Sequence, residues 1–169
     1  MADDFPSITD EQAGLITNAK VFFVASADPS MGEGPGGIGP VNLSPKGGTP
    51  LHIIDRNRVA YLDYVGSGDE TARHAKAGGP VTVMVCSFEE ADAGAVRLYG
   101  KATITPVDGS PLAGVLQESP AADIALPERQ VIDIQIDRTS TSCGYGVPIF
   151  AFEKQRTLGQ RGRQYKPKK

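Results

Sequence analysis

Short apolar segments separated by glycine- and proline-rich turns recur along this chain. They are rich in β-branched and aromatic residues, and several alternate apolar with polar positions, which is typical of β-strands. The predicted strands, six or seven in number, cover residues 21–27, 41–44, 51–54, 59–65, 81–88, 95–105 and 131–137. The 20 glycines and 13 prolines supply turns between them. Because short connections join most of these segments, the pattern predicts an antiparallel barrel with few helices.

Two helices are predicted beside the strands. The first begins near Ser7 or Thr9, either of which can cap it, and ends near residue 18 or 19. The second covers residues 69–76, and the glycine pair and proline that follow end it. Residues 110–117 can form a further short helix. The first strand, residues 21–27, is almost continuously apolar, so we expect burial on both of its faces.

Length and charge restrict the class of protein. A chain of 169 residues is expected to form one domain over residues 1–153, with residues 154–169 as a basic C-terminal tail that belongs to it or frays. The net charge of −3 gives no case for nucleic acid, and no apolar run reaches the ~20 residues of a membrane span. The N-terminus lacks a signal-peptide pattern, so a cytoplasmic location is expected. Two cysteines and two histidines predict neither a disulfide framework nor a metal site.

The segment 59–76 combines a strand, a glycine-rich turn and the start of a helix. This arrangement suits an anion, because free backbone N–H groups and the helix dipole point toward it. A second interpretation stays open, since Ser67 and Glu70 also form a capping box that satisfies the helix end without a ligand. Asp69 and Glu70 place two carboxylates in the first turn, which oppose a phosphate.

A second glycine-rich stretch, residues 32–37, formally matches the dinucleotide-binding pattern G-x-G-x-x-G. That pattern must open a helix. Here Pro35 and Pro40 interrupt the stretch, and the next segment is a predicted strand. We therefore interpret it as a long hairpin loop.

Several segments, in this order, resemble the pyridoxamine 5′-phosphate oxidase-like proteins. They are residues 8–12 leading into 20–25, the sequence VNLSPKG at 41–47, VAYLD at 59–63 with GSGDET at 66–71, RLYG at 97–100 and SCGYGVP at 142–148. The resemblance covers residues 8 to 155. It implies a six-stranded antiparallel split β-barrel that binds FMN. It also implies a homodimer, with the flavin between the subunits and contacts from both.

The resemblance also implies which side chains bind the cofactor. Asn42, Ser44 and Lys46 would line the flavin, while Ser67 and Thr71 would approach its phosphate. Where the family's oxidases carry basic residues, this chain has Asp69 and Glu70. The cationic role therefore passes to Lys46, Arg73 and Arg97. The chain also has no Trp, unlike the C-terminal segment of the true oxidases, which argues against pyridoxamine phosphate as its substrate.

The function that the resemblance implies is an FMN-dependent oxidoreductase, which transfers a hydride between flavin and a small organic substrate. Because the flavin carries the redox chemistry, no catalytic side chain is required, and none is evident. Two alternatives stay open. One is a flavin-binding sensor without turnover, and the other is a reductase that uses the deazaflavin F420.

Overall fold

The computed structural model describes residues 2–33, 39–66, 68–91, 93–116 and 129–156. Their elements, in chain order, are β1 Asp3–Phe5, α1 Asp10–Asn18, β2 Val21–Ala27, β3 Val41–Gly47, β4 His52–Asp55, β5 Arg58–Tyr64, α2 Glu70–Lys76, β6 Pro80–Cys86, β7 Gly94–Pro106, a 3-10 turn Val107–Gly109, α3 Ala113–Leu116 and β8 Arg129–Cys143. The prediction of a mainly β chain with few helices is confirmed. None of the described helices is long and apolar enough to cross a lipid bilayer.

The strands form one antiparallel sheet in the order β3-β2-β6-β7-β8-β5-β4, and β1 pairs with β8. The predicted six-stranded barrel is wrong in two respects: the sheet has eight strands, and among the described residues no pairing joins β3 to β4. The additional strands are short. β1 pairs with the last residues of β8, which continues through Thr139 to Cys143. Sequence patterning ended that strand near residue 137, because hydroxyl side chains replace the apolar alternation beyond it.

The sheet curls around a single large core. Phe22 of β2 and Tyr61 of β5 lie in different halves of the strand order, yet their rings meet edge to face with centroids 5.2 Å apart. The core also contains Val83 of β6, Leu98 of β7 and Ile134 of β8, all fully buried. A smaller cluster on the other face of β5 and β8 packs against α3.

Strand β2 alternates between buried and half-buried positions. Phe22, Val24 and Ser26 face the core, whereas Phe23 and Ala25 lie on the outer face of the sheet. The expectation of burial on both faces is therefore wrong, because the outer-face residues of β2 are only half-buried.

The N-terminal cap of α1 is one that the sequence predicts, whereas the N-terminal cap of α2 is not. Thr9 is one of the two residues predicted to cap α1, and it does so in a reciprocal capping box with Gln12. At α2 the N-cap is Asp69, whose side chain makes no capping hydrogen bond, so the predicted box of Ser67 and Glu70 is wrong. Ser67 itself lies outside the described residues.

Candidate functional site

Strand β3 places three of the candidate residues on one face. Asn42, Ser44 and Lys46 alternate with exposed positions along the strand. The register sets them opposite Ser26, Val24 and Phe22 of β2, which face the core. Because alternate side chains of a strand point the same way, the three candidates face the inside of the curled sheet.

A hydrogen-bond network connects this face of β3 with helix α2. The Asn42 Nδ2 atom donates to Thr71 Oγ1 at 3.0 Å, and Ser44 Oγ donates to Asn42 Oδ1 at 3.1 Å. Thr71 is buried. The structure thus brings Asn42, Ser44 and Thr71 into one polar cluster. Their spacing in the sequence does not predict this contact.

His74 and Ser26 extend the cluster, and sequence reasoning missed both roles. The fully buried His74 ring has Nε2 2.9 Å from the carbonyl oxygen of Gly39 and Nδ1 2.9 Å from Ser26 Oγ. We assign the proton to Nε2, because the carbonyl can only accept. Ser26 then donates to Nδ1, so a neutral His74 is satisfied at both nitrogens. His74 therefore joins α2 to the loop before β3.

Lys46 is paired with a carboxylate. Its Nζ lies 2.7 Å from Asp63 Oδ2 of β5, and the two side chains are only 10% and 7% exposed. The ammonium also lies 5.9 Å from the centre of the Tyr61 ring. Since β3 and β5 belong to different halves of the strand order, this ion pair bridges the curled sheet.

Beside this ion pair lies a buried phenol without a clear partner. The Tyr61 hydroxyl makes no hydrogen bond of ordinary geometry within the described residues. Burial raises the pKa of Tyr61 well above its usual range, the negative charge of Asp63 raises it further, and Thr71 opposes the change. The phenol is therefore protonated at neutral pH, so it can donate a hydrogen bond to an acceptor that enters the cluster.

Arg73 is also neutralised by a carboxylate. Its Nε donates to Asp69 Oδ1 at 2.8 Å, one helical turn away. The two cations near the polar cluster, Lys46 and Arg73, thus each face an aspartate. An anion that binds here must therefore compete with a carboxylate for its cation.

Arg97 is not brought together with the other candidates. On β7 it registers with Met84 of β6, on the face of the sheet opposite the core. Its guanidinium donates to Ser142 Oγ at 2.9 Å. This face follows from the alternation along β7, where Arg97 lies between the buried Val96 and Leu98, whereas its contact with Ser142 depends on the pairing of β7 with β8.

The cluster combines hydrogen-bonding groups with one ammonium. It offers the amide of Asn42, the hydroxyls of Ser44 and Thr71, the Lys46 ammonium and the phenol of Tyr61, which makes no hydrogen bond of ordinary geometry among the described residues. No group of three or more His, Cys, Asp or Glu side chains that could hold a metal ion occurs within the described ranges.

Comparisons with known proteins point to one family. The chain is 31% identical over 147 residues to the pyridoxamine 5′-phosphate oxidase family protein ustO of Aspergillus flavus, an alignment that covers 86% of this chain. The chain spans about half of that relative, 55% of its length. No family model matches the chain.

Solved structures agree at the level of the fold. HupZ of Group A Streptococcus superposes with a TM-score of 0.57 at 20% identity, over 78% of this chain and 91% of that one. A general stress protein 26-related protein of the pyridoxinephosphate oxidase family from Clostridium acetobutylicum gives 0.54 at 11% identity, over 80% and 91%.

Proposed function

We propose that this chain, which belongs to the pyridoxamine 5′-phosphate oxidase-like family, binds FMN and acts as an oxidoreductase on a small organic substrate. The similarity to the Aspergillus protein over most of the chain carries the proposal. The polar cluster on the inner face of β3 supports it, because its donors are those that a phosphorylated flavin requires. A flavin-binding sensor and an F420-dependent reductase are the alternatives.

The proposal assigns a task to each residue of the cluster. Lys46 would bind the phosphate, while Asn42 and Ser44, already oriented by their mutual hydrogen bond and by Thr71, would hydrogen-bond the rest of the cofactor. Ser67 is proposed as a further phosphate contact. Arg73 is proposed to offset the charge of Asp69 rather than to bind directly, since the two already pair. Arg97 is proposed to act, if at all, from the outer face.

The bound flavin would supply hydride transfer, and the protein would supply position and shielding from water. The buried His74 contributes rigidity, because its two hydrogen bonds hold α2 and the loop before β3 in one arrangement. That rigidity keeps Thr71 against Asn42. No proton transfer by a side chain is part of the proposal.

Purified protein is expected to bind FMN more tightly than FAD or F420. We expect fluorescence titration to give a Kd in the micromolar range or below for FMN, equivalent to about −8 kcal/mol. F420 and FAD serve as matched controls in the same titration. A protein that leaves added FMN unquenched would contradict the proposal. Reduction of the bound flavin by NAD(P)H would separate an oxidoreductase from a sensor.

We also propose a homodimer. Unlike the arrangement that the resemblance implies, its interface would lie over the outer face of the sheet, away from the flavin that the polar cluster would bind. On β3, Val41 and Leu43 are 61% and 67% exposed. The register places Ala25 of β2 beside Leu43, and Phe23 beside Pro45. An exposed apolar strip of this kind is typical of an interface.

Light scattering at micromolar concentration is expected to give twice the chain mass. Leu43→Glu is expected to weaken the dimer about tenfold or more, because a carboxylate would be buried without a partner. Val115→Glu changes an equally exposed side chain on α3 and should leave the mass unchanged. A monomer mass for the parent protein, with flavin bound, would exclude the dimer.

A further inference from the structure

A cavity of about 1030 Å³ lies between α1, the turn that joins β6 to β7, and the segment 150–152. Its volume matches that of small-molecule sites. One face of α1 lines it, with Glu11, Gly14, Leu15 and Asn18 at helical spacing. The lining shares no residue with the polar cluster of β3, so the flavin proposal does not account for the cavity.

Gly14 lies in the middle of α1, where the fold gives no reason for a glycine. A Cβ at this position would meet no atom within 4 Å among the described residues. Its φ is not positive either, so the backbone does not require glycine. A helix with glycine in its interior is less stable than the same helix with alanine there. The absent side chain leaves the α1 wall of the cavity open, which allows a ligand to approach the helix backbone.

Another wall of the cavity is aromatic. The rings of Phe88 and Phe150 stack with centroids 5.8 Å apart, and the Phe150 N–H donates to the Phe88 carbonyl oxygen at 2.9 Å. Phe152 lines the cavity next to them. Phe150 and Phe152 remain 61% and 53% exposed. These rings offer flat apolar surface to a planar body, and stacked aromatic contacts favour an aromatic one.

The charges around the cavity favour a cation. The carboxylates of Asp3, Glu11 and Glu89 line it, and none of them has an ion-pair partner among the described residues. A fourth lining carboxylate, Asp10, pairs with Arg56. Among the described residues that line it, Lys20 is the one cation, and its ammonium lies 6.0 Å from the centre of the Phe152 ring. A second cation, Arg97, donates to Ser142 Oγ of the lining at 2.9 Å.

We propose that this cavity is a binding site for an aromatic amine, with its ring between Gly14 and the phenylalanine wall and its ammonium near the carboxylates. Tryptamine is a suitable probe, beside neutral 3-ethylindole and anionic indole-3-propionate, which share its ring. The chain contains no Trp, so selective excitation of indole reports the probe alone. Fluorescence anisotropy is expected to show tryptamine binding about tenfold more tightly than indole-3-propionate, because the carboxylates attract the ammonium of one probe and repel the carboxylate of the other.

Two variants test the location. Gly14→Leu fills the open wall and is expected to weaken tryptamine binding about tenfold or more, while the melting temperature stays equal or rises. Gly114→Leu is the matched control, because Gly114 is also helical and has no atom within 4 Å of a built Cβ. The proposal is overturned if Gly14→Leu binds as the parent does, if the anion binds as well as the amine, or if no probe binds.

Discussion

Replacing Gly100 by alanine is expected to lower the free energy of unfolding by about 3 kcal/mol or more, enough to unfold a marginal domain. Gly100 lies on β7 at the irregularity in its pairing with β8. A Cβ there would overlap the carbonyl oxygen of Gln135 and lie 2.9 Å from its carbonyl carbon. These are backbone atoms of β8, which cannot turn away as a flexible side chain can. The two longest strands of the sheet would have to separate.

Urea denaturation followed by circular dichroism measures this effect. Gly114→Ala is the control, since the built Cβ there meets nothing, and it should stabilise α3 slightly, by about 0.5–1 kcal/mol. If Gly100→Ala unfolds at the same urea concentration as the parent, the close approach of β7 and β8 at Gly100 is contradicted.

Replacing Lys46 by alanine is expected to have two effects. The variant should lose about 3 kcal/mol of stability without any cofactor, because Asp63 would be left buried and unpaired. It should also bind FMN about ten- to a hundredfold more weakly if Lys46 contacts the phosphate. Replacing an exposed surface lysine would change the free energy of unfolding by only about 0.5 kcal/mol, so the larger loss without cofactor is specific to the buried ion pair.

Two further variants separate these effects. Lys101→Ala removes an exposed lysine and should alter neither stability nor FMN affinity. The double variant Lys46→Met, Asp63→Leu removes both charges, so it should recover most of the stability and none of the affinity. Full stability in Lys46→Ala would contradict the buried ion pair, whereas unchanged FMN affinity would remove Lys46 from the proposed site.

Sequence patterning located most strands and the cap of α1 because that information is local. The alternation along β5 and the apolar run of β6 occur where they were expected, and Thr9 lies three residues before Gln12, the spacing of a capping box. The end of β8 was missed. In that part of β8, Thr139 is buried and its hydroxyl donates to Gln12 Oε1 at 2.9 Å. Because a polar residue is buried there, apolar periodicity does not reveal the strand.

The partners of the site residues depend on contacts between distant parts of the chain. Lys46 and Asp63 are 17 residues apart and meet because the sheet curls. The contact of Arg97 with Ser142 depends on the pairing of β7 with β8. The sequence by itself determined where most of the strands lie and which family they resemble, because periodicity and motifs are local properties of the chain. Only the tertiary structure decided which charges neutralise one another and where a cavity opens, because strand register and curvature arise when distant strands pack together.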